Sequence, residues 1–170
     1  MPPLVILGSA RPDGETKRAA EIAFPQNANL IILFHHHIGG YDYAHANDGD
    51  DFRSVVEAML SNDRIVFATP VYWYAMSAPL KIFFDRLTDL VETAKQSGRA
   101  LQGKKIWVIA SGTEAALPEG FEVPFRRTAE YFAMEYRGCA YLYTGENPAL
   151  RADSEAAVTK FGMGVQSGRL

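Results

Sequence analysis

The sequence predicts an α/β fold in which helices cover both faces of a parallel sheet. Five short apolar runs are continuous rather than alternating, which is typical of strands buried on both faces. Each run is followed by a segment with helical periodicity, and this alternation favours a doubly wound sheet. No proline-, glycine- or serine-rich linker divides the 170 residues. We therefore expect a single domain over residues 1–170, and two smaller α+β units are the alternative.

The elements follow one another in a regular order along the chain. The predicted strands lie at Leu4–Leu7, 30–33, 65–68, 106–110 and 140–143. The helical segments that follow them lie at 16–24, 51–61, 77–94, 125–136 and 154–161. In a doubly wound sheet, ligands bind beyond the carboxyl ends of the strands. The loops after the first, third and fourth strands are therefore the expected places for a functional site.

Composition and charge exclude several classes of function. The 17 Lys and Arg residues are outnumbered by 20 Asp and Glu, and the net charge of -3 is not the basic footprint of a nucleic-acid binder. No apolar run approaches the roughly 20 residues of a membrane span, and no positively charged segment precedes an apolar one at the N-terminus. Cys139 is the single cysteine, which excludes an internal disulfide and suits a reducing compartment. We expect a cytoplasmic protein with neither nucleic-acid nor membrane partners.

The loop after the first strand has the residue types of an anion site. Gly8 and Gly14 allow a tight loop, and a helix that begins after it would offer unpaired amides and the positive end of its dipole. Ser9 and Thr16 add hydroxyl groups, and Arg11 adds a charge that suits a phosphate. No Gly-Lys-Ser/Thr sequence follows, so the loop is not a nucleoside-triphosphate P-loop. The alternative is an ordinary turn before a capped helix, with Arg11 in solvent.

The loop after the third strand is unusually aromatic. Tyr72, Trp73 and Tyr74 follow the predicted strand end in succession, and three consecutive aromatic side chains do not all point into one core. Pro70 removes an amide donor and stiffens the chain before them. The pattern predicts a flat surface for a planar heterocyclic ligand. The alternative is an aromatic plug that closes the end of the sheet.

These loops carry a resemblance to a known family. The matching motifs are Gly8-Ser9-x-Arg11 with Gly14-x-Thr16, then Thr69-Pro70-Val71-Tyr72-Trp73, then Met76-Ser77-Ala78-Pro79-Leu80-Lys81 with Phe84-Asp85-Arg86. In these the chain resembles the flavodoxin-like NAD(P)H-dependent FMN reductase family, from the first strand to beyond the fourth. The resemblance implies a flavodoxin-like, doubly wound, five-stranded parallel sheet in the order 2-1-3-4-5, with FMN at its carboxyl edge.

The resemblance also implies the residues of a flavin site. The FMN phosphate would be held by Ser9, Arg11, Gly14 and Thr16. The isoalloxazine ring would be lined by Pro70, Val71, Tyr72, Trp73 and Tyr74, with Ser111, Gly112 and Thr113 completing the wall. Glu15 departs from the Asn or Ser that relatives often have at this position, and its carboxylate would repel a phosphate.

The reaction that the resemblance implies is hydride transfer from NADH or NADPH, through bound FMN, to a small acceptor. Quinones, azo compounds and free flavins are the expected acceptor classes, and no side chain is expected to act as a catalytic acid or base. The alternatives are a flavodoxin-type electron carrier and a cofactor-free module on the same fold. Iron–sulfur flavoproteins of the superfamily carry clustered cysteines after the second strand, and this chain has none there.

Two further features bear on assembly and metals. Ile82, Phe83 and Phe84 spread over roughly 200° of a helix, more than one core-facing stripe needs. We therefore expect a second buried face and a homodimer or homotetramer, with deep burial inside one chain as the alternative. His35, His36 and His37 are consecutive and do not converge on one point, so no metal site is predicted there.

Overall fold

A five-stranded parallel sheet forms the centre of the molecule, in a computed structural model that describes residues 2–25 and 28–168. The long strands are β1 Leu4–Leu7, β2 Asn29–Ile32, β3 Arg64–Tyr72, β5 Lys105–Gly112 and β6 Glu135–Tyr143. A two-residue strand, β4 Ala75–Met76, pairs with β3 in the antiparallel sense. The long strands lie in the order β2-β1-β3-β5-β6. Numbered without β4 this is 2-1-3-4-5, so the predicted fold is confirmed.

Helices cover both faces of the sheet. They are α1 Glu15–Ala23, α2 Phe52–Leu60, α3 Ala78–Arg86, α4 Asp89–Glu92, α5 Lys95–Arg99, α6 Val123–Tyr131 and α7 Pro148–Ser167. One apolar cluster joins the sheet to α2, α3, α4 and α6, and a second joins its other face to α1 and α7. Because side chains alternate along a strand, Leu4 and Ile6 of β1 enter the first cluster while Val5 and Leu7 enter the second.

Trp107 is the largest side chain of the second cluster and is fully buried on β5. Its indole N–H has no acceptor among the described residues. A buried donor without an acceptor is uncommon. The hydrogen bond to water that the indole N–H loses offsets part of the stabilisation that burial of the ring provides. The indole lies within the second apolar cluster, which offers its N–H no acceptor.

The predicted helix 77–94 is wrong as a single element. It ends at Arg86, where backbone bonds from Leu87 to Phe84 and from Thr88 to Asp85 tighten the last turn. The chain then continues as the short helices α4 and α5. Phe83 is fully buried, and the Phe84 ring packs edge-on against Phe67 and Phe125. Packing inside the chain therefore accounts for these two residues, and the oligomer stays a prediction.

The predicted helix 125–136 also differs from the observed one. The helix stops at Tyr131 because Ala133 adopts a positive φ of 52°, while the amides of Ala133 and Met134 bond back to Glu130 and Ala129. These two bonds form a Schellman-type end, which usually has glycine at the left-handed position. The chain then enters β6 five residues earlier than predicted, at Glu135.

The last helix is much longer than the predicted segment 154–161. It begins after Asn147, whose side chain accepts hydrogen bonds from the amides of Ala149 and Leu150, and it ends at Gly168 with a φ of 70°. Both are common helix-boundary residues. The helix lies directly against the backbone of α1, where Gly162 leaves no room for a side chain beside Ala23.

A long loop between β2 and α2, residues 36–51, is held in place by Arg86. The Arg86 guanidinium donates to Asp50 at 2.5 Å and to Asp89 at 2.7 Å. It also reaches the carbonyl oxygens of Gly39 and Asn47, and it lies 4.8 Å from the centre of the Phe52 ring. The side chains of Arg86 and Asp50 are only 4% and 6% exposed. The loop is therefore fixed by a buried ion pair rather than by apolar packing alone.

Candidate functional site

The loop after β1 starts from a rigid base. The Gly8 amide donates to the Ala68 carbonyl at 2.8 Å, and the Gly8 carbonyl accepts from the Ser77 hydroxyl at the start of α3. A Cβ atom on Gly8 would lie 2.5 Å from the Cβ of Leu80, so only glycine fits at this position. The ends of β1 and β3 are therefore locked to each other and to α3.

Beyond this base the loop presents groups that bind anions. Helix α1 begins at Glu15, and its N-cap residue Gly14 offers no side-chain acceptor, so among the described residues no hydrogen bond is formed to the amides of the first turn. The Ser9 hydroxyl accepts from the Arg11 amide at 3.1 Å and shapes the turn. The Arg11 side chain is exposed, and its guanidinium forms no ion pair with any residue that the structure describes.

The Glu15 carboxylate, which the sequence places near this loop, is held by other charges. Arg18 lies 3.2 Å from Glu15 and 2.5 Å from Glu155 of α7. A carboxylate that pairs with a cation repels a nearby phosphate less than a free one does. The departure at Glu15 is therefore compatible with an anion at the start of α1.

One buried hydrogen bond joins the loop after β1 to the end of β5. The hydroxyl groups of Thr16 and Ser111 lie 2.7 Å apart, and both residues are only 3% exposed. Since Ser111 is followed directly by Gly112 and Thr113, this bond places the first turn of α1 next to the third predicted segment. Ser111 and Gly112 are the last residues of β5, not loop residues as predicted.

The aromatic segment is a hairpin turn rather than the loop that the sequence predicts. Strand β3 continues through Tyr72, which pairs with Ala75 of β4, so only Trp73 and Tyr74 form the turn. Both have positive φ angles, 48° and 65°, as a type I′ turn requires. Their side chains are 90% and 67% exposed. Two large exposed aromatics therefore occupy positions that usually hold Asn and Gly.

Replacing the turn residues with the pair Trp73→Asn and Tyr74→Gly is expected to stabilise the fold. Each left-handed residue other than glycine or asparagine costs on the order of 1 kcal/mol. We expect the free energy of unfolding in urea to rise by about 1–2 kcal/mol. As a control, Tyr43→Gly removes an exposed aromatic that lacks a positive φ, and it should leave stability unchanged or slightly lower. A destabilised double variant would show that contacts of the two rings outweigh the strain.

A cavity of about 380 Å³ lies between this hairpin and the end of β5. It is lined by Val71, Trp73, Tyr74, Gly112, Thr113, Glu114, Pro118 and Tyr141. Five of the predicted ring-facing residues thus meet in one place. The three others do not line it: Pro70 is buried within β3, Tyr72 lies on β3 outside the cavity, and Ser111 is buried near the end of β5. Ring contacts by these three residues stay predictions.

The wall of the cavity after β5 offers unpaired backbone amides. Residues 113–116 form no regular structure, and within residues 2–25 and 28–168 the N–H groups of Thr113, Ala115 and Ala116 have no acceptor. Exposed amides of this kind need a partner in water or in a ligand. An aromatic turn on one side and open amides on the other suit a planar ring with polar edges. With the anion loop adjoining, the residues present fit a flavin mononucleotide.

Three lining residues were missed from the sequence, namely Glu114, Pro118 and Tyr141. Tyr141 comes from β6, and its position depends on an irregular register between β5 and β6 near Ile106 and Val108. No sequence motif reports that register. The histidines at 35–37 do not line the cavity, and the His37 amide instead bonds to the Asp51 carboxylate at 2.7 Å.

Comparison with known proteins agrees with this geometry. The family model of NADPH-dependent FMN reductase matches residues 1–119, well over half of the chain. The chain belongs to this family. It is 30% identical over 145 residues to the putative NAD(P)H-dependent FMN-containing oxidoreductase YwqN of Bacillus subtilis, covering 79% of this chain and 80% of that protein.

Solved structures confirm the flavodoxin-like fold. The Trp repressor binding protein of Bacillus subtilis superposes with a TM-score of 0.73 at 24% identity, over 92% of this chain and 98% of that one. An FMN-dependent NADH-azoreductase from Bacillus anthracis, solved in complex with FMN, gives 0.69 at 12% identity, over 94% and 97% of the two chains. Membership of the reductase family confirms the expected enzyme class and its FMN and NAD(P)H requirement.

Proposed function

We propose that this FMN reductase family member transfers hydride from NADH or NADPH, by way of FMN bound at the carboxyl edge of the sheet, to a small quinone, azo or flavin acceptor. The observation that carries this proposal is the buried Thr16–Ser111 hydrogen bond. This bond joins the start of α1 to the strand end beside the aromatic cavity, and it supports a single site for a molecule with a phosphate at one end and a flat ring at the other.

Each part of the site has a separate task. The first-turn amides of α1, with Ser9, Gly14, Thr16 and Arg11, bind the phosphate. Val71, Trp73, Tyr74, Gly112 and Thr113 contact the ring and exclude water from it, and Ser111 orders the junction between the two ends. FMN supplies the hydride chemistry when it is bound, and the protein orients it and sets its electrostatic surroundings.

The acceptor and the assembly are further parts of the proposal. An azoreductase among the structural neighbours supports the class of small aromatic acceptors.

A homodimer or homotetramer is supported by a groove of about 500 Å³ beside α3, α4 and α6, whose wall includes Tyr131, an exposed aromatic, and Phe84. A cytoplasmic location is supported by the NAD(P)H requirement and by the single free thiol of Cys139. Among the described residues, no helix combines the length and apolar character needed to cross a bilayer.

The decisive experiment is reconstitution followed by turnover. The purified chain is incubated with FMN, desalted, and assayed for NADH and NADPH oxidation with menadione and with an azo dye. We expect a yellow protein that turns over faster than free FMN, and light scattering on the same sample reports its oligomeric state. A colourless protein would contradict flavin binding. A yellow protein with no turnover above free FMN would support an electron carrier instead.

A further inference from the structure

Tyr141 of β6 reaches the cavity wall that follows the neighbouring strand β5. Its hydroxyl donates to the carbonyl oxygen of Glu114 at 2.9 Å. The same hydroxyl lies beside Gly112, where a Cβ atom would be only 2.8 Å from it. The glycine thus leaves the space that the phenol needs to reach the wall.

This contact is the main restraint on the wall. The Gly112 carbonyl is fixed by the Thr144 amide at 2.8 Å, but the chain then leaves the sheet. For residues 113–117 the Tyr141 hydroxyl is the single hydrogen-bond partner that the described part of the chain supplies. The segment 113–117, of which Thr113 and Glu114 line the cavity, is therefore held by this hydrogen bond and by the packing of Leu117 against the first apolar cluster.

The phenol is kept in its donating form. Burial, followed by the nearby Glu114 carboxylate, raises the pKa of Tyr141 above its ordinary value. The hydroxyl therefore stays protonated at neutral pH and keeps donating to the Glu114 carbonyl. A neutral hydroxyl at this position adds no charge to the cavity, and its hydrogen bond is already directed at the backbone of the wall.

We propose that Tyr141 is a positioning residue for the ring end of the flavin site, because its hydroxyl fixes the backbone at Glu114, which lines the cavity together with Thr113. The inference rests on the proposed function. Unlike the residues proposed to bind the phosphate, Tyr141 acts on the isoalloxazine ring and has no role at the phosphate. FMN and riboflavin share the ring and differ by the phosphate, so they separate the two ends.

The test is Tyr141→Phe, which removes the hydroxyl alone. Loss of one hydrogen bond should weaken binding of both FMN and riboflavin by about three- to tenfold. The reduction potential of bound FMN should become more negative, because ordered amides favour the negative charge of the reduced ring. Tyr136→Phe is the matched control: Tyr136 lies on the same strand, and its hydroxyl bonds to Glu122, away from the cavity. It should change neither affinity nor potential.

Several results would overturn the inference. Unchanged affinities and potential in Tyr141→Phe would refute it while leaving flavin binding by the wild-type protein intact. A loss confined to FMN would place the effect at the phosphate, and an equal loss in Tyr136→Phe would make it a general effect on the strand. A wild-type protein that binds no flavin would refute the proposed function and this inference together.

Discussion

Arg86→Ala is expected to lower the free energy of unfolding by about 3–5 kcal/mol, the usual effect of removing one partner of a buried ion pair. The substitution leaves the buried Asp50 carboxylate and the carbonyl oxygens of Gly39 and Asn47 without their cation. It also removes the guanidinium from the Phe52 ring. The loop 36–51 should become more mobile, and urea denaturation at neutral pH measures the decrease in the free energy of unfolding.

Lys81→Ala is the control for this experiment. Lys81 pairs with Asp85 on the same helix, but both side chains are about half exposed, and such pairs contribute at most about 1 kcal/mol. We expect little change in its free energy of unfolding. An Arg86 variant as stable as this control would show that the buried network contributes nothing net to folding.

The same ion pair predicts a pH dependence. Burial alone would raise the pKa of Asp50, but hydrogen bonds from Arg86 and from the amides of Phe52 and Gly39 outweigh it and hold the pKa below its usual value. A lowered pKa in the folded state stabilises the protein above the pKa of the unfolded state, near 4, and the contribution is lost as the pH falls further. The stability difference between the wild-type protein and Arg86→Ala should therefore shrink below about pH 4.

The second large effect is expected at the phosphate loop. Arg11→Ala should weaken FMN binding by about 1.5–3 kcal/mol, which is about ten- to hundredfold, because it removes a charge-assisted contact to the phosphate. Riboflavin, which lacks the phosphate, should bind the variant and the wild-type protein equally well. Titration of both ligands against both proteins, followed by visible absorbance, measures the difference.

Lys17→Ala is the matched control for this test, because it also removes a single cation from this region of the protein. Lys17 lies on α1, but its ammonium is already paired with Asp13 at 2.9 Å and lies 3.7 Å from Glu21. FMN affinity should therefore change little in this variant. An Arg11 variant with unchanged FMN affinity would remove Arg11 from the phosphate site, and an equal loss in both variants would indicate only the overall charge of the loop.

The strands could be predicted from the sequence because their buried runs are continuous, and their order followed from the family resemblance. Element ends were harder, since they depend on contacts between distant residues. Helix α6 ends at Tyr131 because Ala133 adopts a left-handed conformation, although no glycine stands there to indicate it. Strand β3 continues through Pro70, beyond its last pairing with β1 at Ala68, where proline is tolerated because one edge is free.

The residues of the candidate site also fall into two groups, those that the sequence could indicate and those that it could not. Residues of short local motifs, such as Ser9, Thr16 and Gly112, could be named because the loops after neighbouring parallel strands converge. Tyr141 could not, because its place beside Gly112 depends on the pairing of β5 with β6 and on a register shift within it. The turn at Trp73 and Tyr74 was hidden because Asn-Gly, the usual sign of a type I′ turn, is absent.

The two tryptophans give the protein a pair of independent optical probes. Trp107 is fully buried in the second apolar cluster, and its indole has no hydrogen-bond acceptor in the part of the chain that the structure describes, so its fluorescence should be blue-shifted and should report unfolding. Trp73 lies in solvent at the rim of the cavity, so its emission should be red-shifted and should be quenched by a flavin bound beside it. Excitation of the unmodified chain can thus follow ligand occupancy and global folding in a single sample, at separate emission wavelengths.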